Sequence, residues 1–135
     1  MDSLNKFSPY THWLVRLSLA ATFIYHGLGK FPMAQGMADM MGMPIFMVYM
    51  LALMEVAGGL LILWGGVGPD WATRAAGGIF AVVMLGAIMM VHWPNGWNFM
   101  SGFGEGTNNA GGMEFQVLLF VTGLTYFING NSDNK

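Results

Sequence analysis

Apolar residues run along this chain in four long blocks, at about 12–31, 44–64, 71–92 and 113–129, separated by shorter polar or glycine-rich stretches. Roughly 20 apolar residues cross a bilayer as a helix. The pattern therefore predicts an all-α membrane protein, a four-transmembrane-helix bundle. The fourth block is short but lies near the lower limit of what spans. The four helices consume most of the chain and leave room for a single domain, 1–135.

The first block is the least uniform. His12, Arg16, His26 and Lys30 interrupt an otherwise greasy run. At about 100° per residue they share an arc of roughly 80° with Phe23, whereas Tyr25 points away. Hydrocarbon penalises such groups, so this face is expected to look into the protein or a wet cavity. In the second block Glu55 shares a face with Gly58, Gly59, Gly65 and Gly66. Small residues let membrane helices approach closely, so Glu55 is expected inside the bundle. Arg74 and His92 lie about five turns apart on one face of the third block, and Glu114 opens the fourth.

Counting rise from the outer helix ends separates these groups by depth. Arg16 and Glu55 come out at similar depths, which predicts a structural ion pair between the first two helices. Arg74 is expected to snorkel to the inner interface, and His12 to lie there as well. His26, Lys30, His92 and Glu114 are expected to enclose a polar pocket in the outer leaflet. The long 93–112 loop, with Trp93, Trp97, Phe99 and Phe103, suits either a lid contributing Glu105 or an anchor at the membrane interface.

Composition narrows the function classes. Hydrophobic residues make up 55% and charged residues 9% of the chain, far from the balance of a soluble domain. A net charge of −2 without a basic patch gives a nucleic-acid partner no support. With no cysteine, thiolate metal sites, disulfides and thiol redox chemistry are excluded. The polar start lacks a cleavable-signal pattern, so the first helix is expected to be retained. Lys6, Arg16, Arg74 and Lys135 fall on one side of a four-span topology and Lys30 on the other. The positive-inside rule then places both termini in the cytoplasm of a bacterial inner-membrane, multi-pass protein. Leu53-Met54-Glu55-Val56 is echoed by Gly112-Met113-Glu114-Phe115, which duplication of a hairpin or chance would both produce.

The run from Arg16 through Phe23-Ile24-Tyr25-His26-Gly27-Leu28-Gly29-Lys30 resembles the first-helix signature of the DoxX/DoxD-like membrane protein family. Glu55-Val56-Ala57-Gly58-Gly59, continuing to Gly65, is similar to that family's second-helix motif. Arg74, His92 and Glu114 complete the likeness in order along nearly the whole chain. The tail Asn129-Gly130-Asn131-Ser132-Asp133 departs from the family's usual ending, lacking its basic residue. The resemblance implies a four-helix membrane protein linked to oxidoreductase and quinone-related systems. DoxD relatives are associated with thiosulfate:quinone oxidoreductase, and the family with terminal oxidases and oxidative-stress complexes.

The expectation is therefore an inner-membrane subunit of an oxidoreductase or respiratory complex that binds quinone or quinol. His26, His92 and Glu114 are its candidate catalytic residues. His26, Lys30, His92, Glu105 and Trp93 are its candidate cofactor contacts, donating to carbonyl oxygens, relaying protons and holding the ring. Lipid and other membrane or periplasmic subunits, or further copies of the chain, are the expected partners. Other readings stay open. The polar residues could form only a network that locks helix register, or the protein could be a non-catalytic assembly subunit. His26 and His92 could ligate haem or a metal, and a path linking the deep pair to the outer cluster would serve transport. The methionines of 33–54 show no Met-x-Met repeat and suit apolar packing better than copper ligation.

Overall fold

Proline and glycine punctuate the chain into its helices. The computed structural model describes residues 2–104 and 108–132, and among these the regular elements are all helical. They are α1 (Asp2–Asn5), α2 (Thr11–Lys30), α3 (Ala34–Met41), α4 (Ile45–Val67), α5 (Asp70–Ala87) and α6 (Glu114–Asn129). Pro44 and Pro69, both extended, stand immediately before α4 and α5. Proline lacks an N–H and suits the start of a helix, not its interior. Gly42 ends α3 in the left-handed conformation. α5 does not stop at Ala87 but passes into a π-helical turn, Ile88–His92, and a 3-10 turn, Trp93–Asn95.

Two of the expected spans are long and apolar enough to cross a membrane, Ile45–Val67 and the continuous stretch Asp70–Asn95. α2 has 20 residues, but its ionisable side chains dilute its apolar character. α6 has only 16 residues. The connection 31–43 contains the helix α3, whose Ala34 and Ala38 pack on Val48 of α4.

α2 packs on α4, α4 on α5, and α5 on α6. Leu19 and Phe23 of α2, Ile62 of α4, Phe80 of α5 and Tyr126 of α6 share one core. Phe23 and Phe80 stack with ring centroids 4.0 Å apart. Glycines set the closest approaches. A Cβ on Gly27 would strike the Ala52 carbonyl and Val56, and one on Gly59 would strike Ile24. Gly77 and Gly123 are reciprocal, each occupying space that a side chain on the other's helix would need. Large apolar side chains, among them Leu14, Leu17, Leu60, Val82 and Leu118, cover the outside. Such a surface is an aggregation liability in water but is well solvated by lipid.

Gly77→Ala is expected to cost about 1–3 kcal/mol through overpacking. Gly86→Ala, whose new methyl would meet open space, should be neutral or stabilise by up to about 1 kcal/mol. Thermal melts of the two variants in one detergent check this contrast.

Candidate functional site

Polar side chains collect in three layers along the bundle, each built by different helices. Inner denotes the end of the bundle where α2 begins, and outer the end that carries the 93–112 loop; in the inner layer Arg16 is fully buried. Its Nη1 donates to the Ile62 carbonyl at 2.8 Å and to Thr73 Oγ1 at 3.0 Å. Its Nη2 donates to Asn131 Oδ1 at 2.9 Å, and its Nε to His12 Nδ1 at 3.1 Å. The guanidinium also lies over the Tyr126 ring, 4.9 Å from its centroid. Gly65 and Gly66 make room for this cluster, Gly65 against Thr73 and Gly66 against Trp13 and Arg16.

Asn131 is the second hub of this layer. Its Oδ1 also accepts from Thr73 Oγ1, and its Nδ2 donates to the carbonyls of Gly65 and Gly68. Its backbone N–H donates to Asp70 at 2.7 Å. Arg74, expected to snorkel, pairs with Asp70 at 2.5 Å and donates to the carbonyls of Phe127 and Ile128. Those carbonyls belong to the last turn of α6, which lacks intrahelical partners and favours a cation. One end of the molecule is thereby fastened from α2 to the residues following α6.

The middle layer is an ion pair. Lys30 Nζ lies 2.5 Å from Glu55 Oε2, with 13% and 4% of the two side chains exposed. The ammonium also donates to the His26 carbonyl at 3.3 Å. His26 is exposed, set edge-on to Tyr25 with ring centroids 5.6 Å apart. Among the described residues no hydrogen bond reaches its imidazole ring.

The expected pairing of Arg16 with Glu55 is thus replaced by Lys30 with Glu55. The register of α2 on α4 explains the exchange. Gly27 packs beside Ala52 and Glu55, whereas Gly66 packs beside Trp13 and Arg16. Arg16 therefore sits level with Ile62, roughly seven residues or about 10 Å along α4 from Glu55. Equal counting from the outer ends fails because α4 begins beyond the end of α2, with α3 filling the step.

The outer layer belongs to the 93–112 loop. His92 Nδ1 lies 3.1 Å from the Gly111 carbonyl, which also accepts from Asn95 Nδ2 at 2.8 Å. Asn108 Nδ2 donates to the Val91 carbonyl at 2.8 Å. The Phe99 N–H donates to Glu114 Oε1 at 2.9 Å. The loop is knitted onto the ends of α5 and α6, while Trp93 and Trp97 remain exposed. Glu105 lies outside the described residues.

His26, Lys30, His92 and Glu114 consequently do not form one cluster. Contacts of Gly58 with Phe80 and Gly65 with Thr73 place Glu55 level with about residue 83 of α5. His92 is roughly nine residues further out, about 13 Å. No hydrogen bond or ion pair joins the two layers among the described residues. Nor do three or more His, Asp or Glu side chains converge as a metal-ligand group among the described residues.

Thr73, Tyr126 and Asn131 are the site residues that sequence reasoning missed. Their chemistry is neutral and leaves no charge to be accounted for. The one available signal was Asn131, an amide directly after Gly130, where a helix-ending glycine turns the chain back.

The DoxX family model matches residues 12–93, from the inner anchor His12 through the π-helical turn. The chain belongs to the DoxX family. This is a family of membrane proteins, which fits the apolar exterior of the bundle. A Bacillus subtilis (strain 168) protein named "Putative oxidoreductase CatD" is 31% identical over 131 residues, covering 95% of this chain and 85% of that protein. No solved structure matches the chain.

A double-mutant cycle distinguishes the two pairings. Lys30→Met with Glu55→Gln is expected to show a coupling energy of about 1 kcal/mol or more in thermal stability. Arg16→Met with Glu55→Gln should couple by less than half as much, since the two side chains share a helix register and no contact.

Proposed function

We propose that this protein is a four-span, multi-pass subunit of an oxidoreductase system in a bacterial inner membrane. On this reading Lys30, Glu55 and His26 form a lipid-accessible site for the head group of a quinone or quinol. The observation that carries it is the Lys30–Glu55 pair, nearly buried in an apolar bundle beside an imidazole open to the exterior. Intramembrane ionisable groups are costly and usually functional.

The donor set suits a quinone. Two of the three ammonium N–H groups of Lys30 are used, on Glu55 and the His26 carbonyl. The third can donate to a carbonyl oxygen arriving from the lipid side, and the imidazole of His26 offers a second donor. Glu55 holds the ammonium in place and is the carboxylate within reach to take up or release a proton. A bound quinone supplies a carrier for electrons and protons. The electrons themselves come from a partner subunit bearing flavin, haem or iron–sulfur chemistry.

Topology is supported from two directions. Lys6, Arg16, Arg74 and Lys135 favour cytoplasmic termini. Trp13, Trp64 and Trp71 mark one end of the bundle, with Trp64 set edge-on to Trp71, and Trp93 and Trp97 mark the other. Aromatic residues favour both membrane interfaces. α6, about 24 Å long, is accommodated by local thinning of the bilayer.

One observation favours a second reading, a non-catalytic assembly subunit. His92 and Glu114 are engaged in holding the outer loop, so that end serves architecture. Titrating the purified protein in nanodiscs with ubiquinone-1, followed by tryptophan quenching, separates the two. Saturable binding that weakens about tenfold or more in His26→Ala and in the Lys30→Met/Glu55→Gln double variant is expected. Absence of saturable binding by a folded protein that still co-purifies with its partner subunits overturns the quinone reading in favour of assembly.

A further inference from the structure

Helix α3 turns its alanines onto α4 and its methionines outward. Its smallest apolar residues, Ala34 and Ala38, are buried against α4, while Met33 and Met40 are 58% and 57% exposed. Met37 lies between, partly packed on the same alanines. At about 100° per residue, Met37 and Met40 of α3 fall within an arc of roughly 60° with Met33, which caps the start of the helix. Together with Gly36 these three methionines line a shallow, open surface depression. A side chain on Gly36 would meet only open space, so the glycine leaves the concavity clear.

Three thioethers are the only side-chain heteroatoms in that lining. A thioether is neutral, polarizable and a weak hydrogen-bond acceptor. Hard divalent cations need oxygen ligands, and soft sulfur ligands select Cu(I). Three neutral donors also suit a monovalent ion better than a divalent one, because no ligand charge offsets the second positive charge. Methionine has three rotatable side-chain bonds, so side chains one and two turns apart can converge on one ion. Gln35 and Asp39 hydrogen-bond to each other at 2.9 Å on the opposite flank, leaving the methionine face free of carboxylate.

We propose that Met33, Met37 and Met40 form a thioether site for Cu(I), with Ag(I) as an equivalent probe. The motif is spaced for a helix, at i, i+4 and i+7, so a search for alternating Met-x-Met passes over it. It is independent of the Lys30–Glu55 site and of the quinone reading.

Methionine-to-leucine substitution gives a clean test, since it removes sulfur while keeping volume and apolarity. An anchoring face that merely contacts lipid survives that change. The full chain, purified in detergent under ascorbate, is titrated against the Cu(I)–bicinchoninate complex. The wild type is expected to withdraw one Cu(I) per chain, with a sulfur-only first shell by X-ray absorption. The Met33→Leu/Met37→Leu/Met40→Leu variant should bind about tenfold more weakly or worse. Met47→Leu/Met50→Leu, also exposed methionines, should bind as the wild type does. Met33→Leu/Met40→Leu keeps the partly packed Met37 and should weaken binding without moving the thermal midpoint. Failure of the wild type to withdraw Cu(I), a triple variant that binds as tightly, or a shell containing nitrogen would each overturn the site.

Discussion

A guanidinium buried in an apolar bundle cannot be left to water, and the geometry of Arg16 follows from that constraint. A charge in low dielectric is tolerable only where hydrogen bonds surround it. Arg16 reaches a backbone carbonyl of α4, the hydroxyl of Thr73 on α5 and the amide of Asn131 beyond α6. Those bonds require α2 to approach α4 at Gly66, and α5 to approach it at Gly65, where no side chain stands. Fixing α2 on α4 there also fixes their register further along. That register brings Lys30, fourteen residues further along α2, onto Glu55. The inner network thus positions the middle ion pair.

The two ends of the bundle are closed by different means. At the inner end charged and amide side chains tie helix termini together, including Arg74 on the final carbonyls of α6. At the outer end the 93–112 loop folds back and is held by asparagines, His92 and Glu114. The π-helical turn before it carries His92 at its last residue, where the helix unwinds into the loop. Such turns interrupt the regular hydrogen-bond ladder and often mark functional positions. Between these closed ends lies the Lys30–Glu55 pair, with His26 the exposed group beside it.

Much of the helical pattern was legible because apolar blocks and their proline or glycine boundaries are local signals. Pro44, Pro69 and Gly130 stand at or next to helix ends in the sequence as in the structure. The inward face of α2 was legible in part: Arg16 and Phe23 share one arc and are both buried, but His26 on the same arc is exposed. Which partner each charge takes was not legible. Pairing depends on the relative slide of two helices, and α3 changed that slide without altering any apolar block. The outer cluster failed because His92 closes the π-helical turn, about 13 Å beyond the level of Glu55. Asn131 and Thr73 were invisible because a neutral hydrogen-bonding residue imposes no penalty that a sequence pattern would reveal.

The dependence of this architecture on a planar, forked cation at one position can be measured directly. Arg16→Lys keeps the charge but removes the fork that serves Ile62, Thr73 and Asn131 together. Chemical denaturation of this variant in a lipid-like detergent is expected to show a loss of about 2 kcal/mol or more relative to the wild type. A variant that unfolds at the same denaturant concentration as the wild type would contradict the organising role of Arg16.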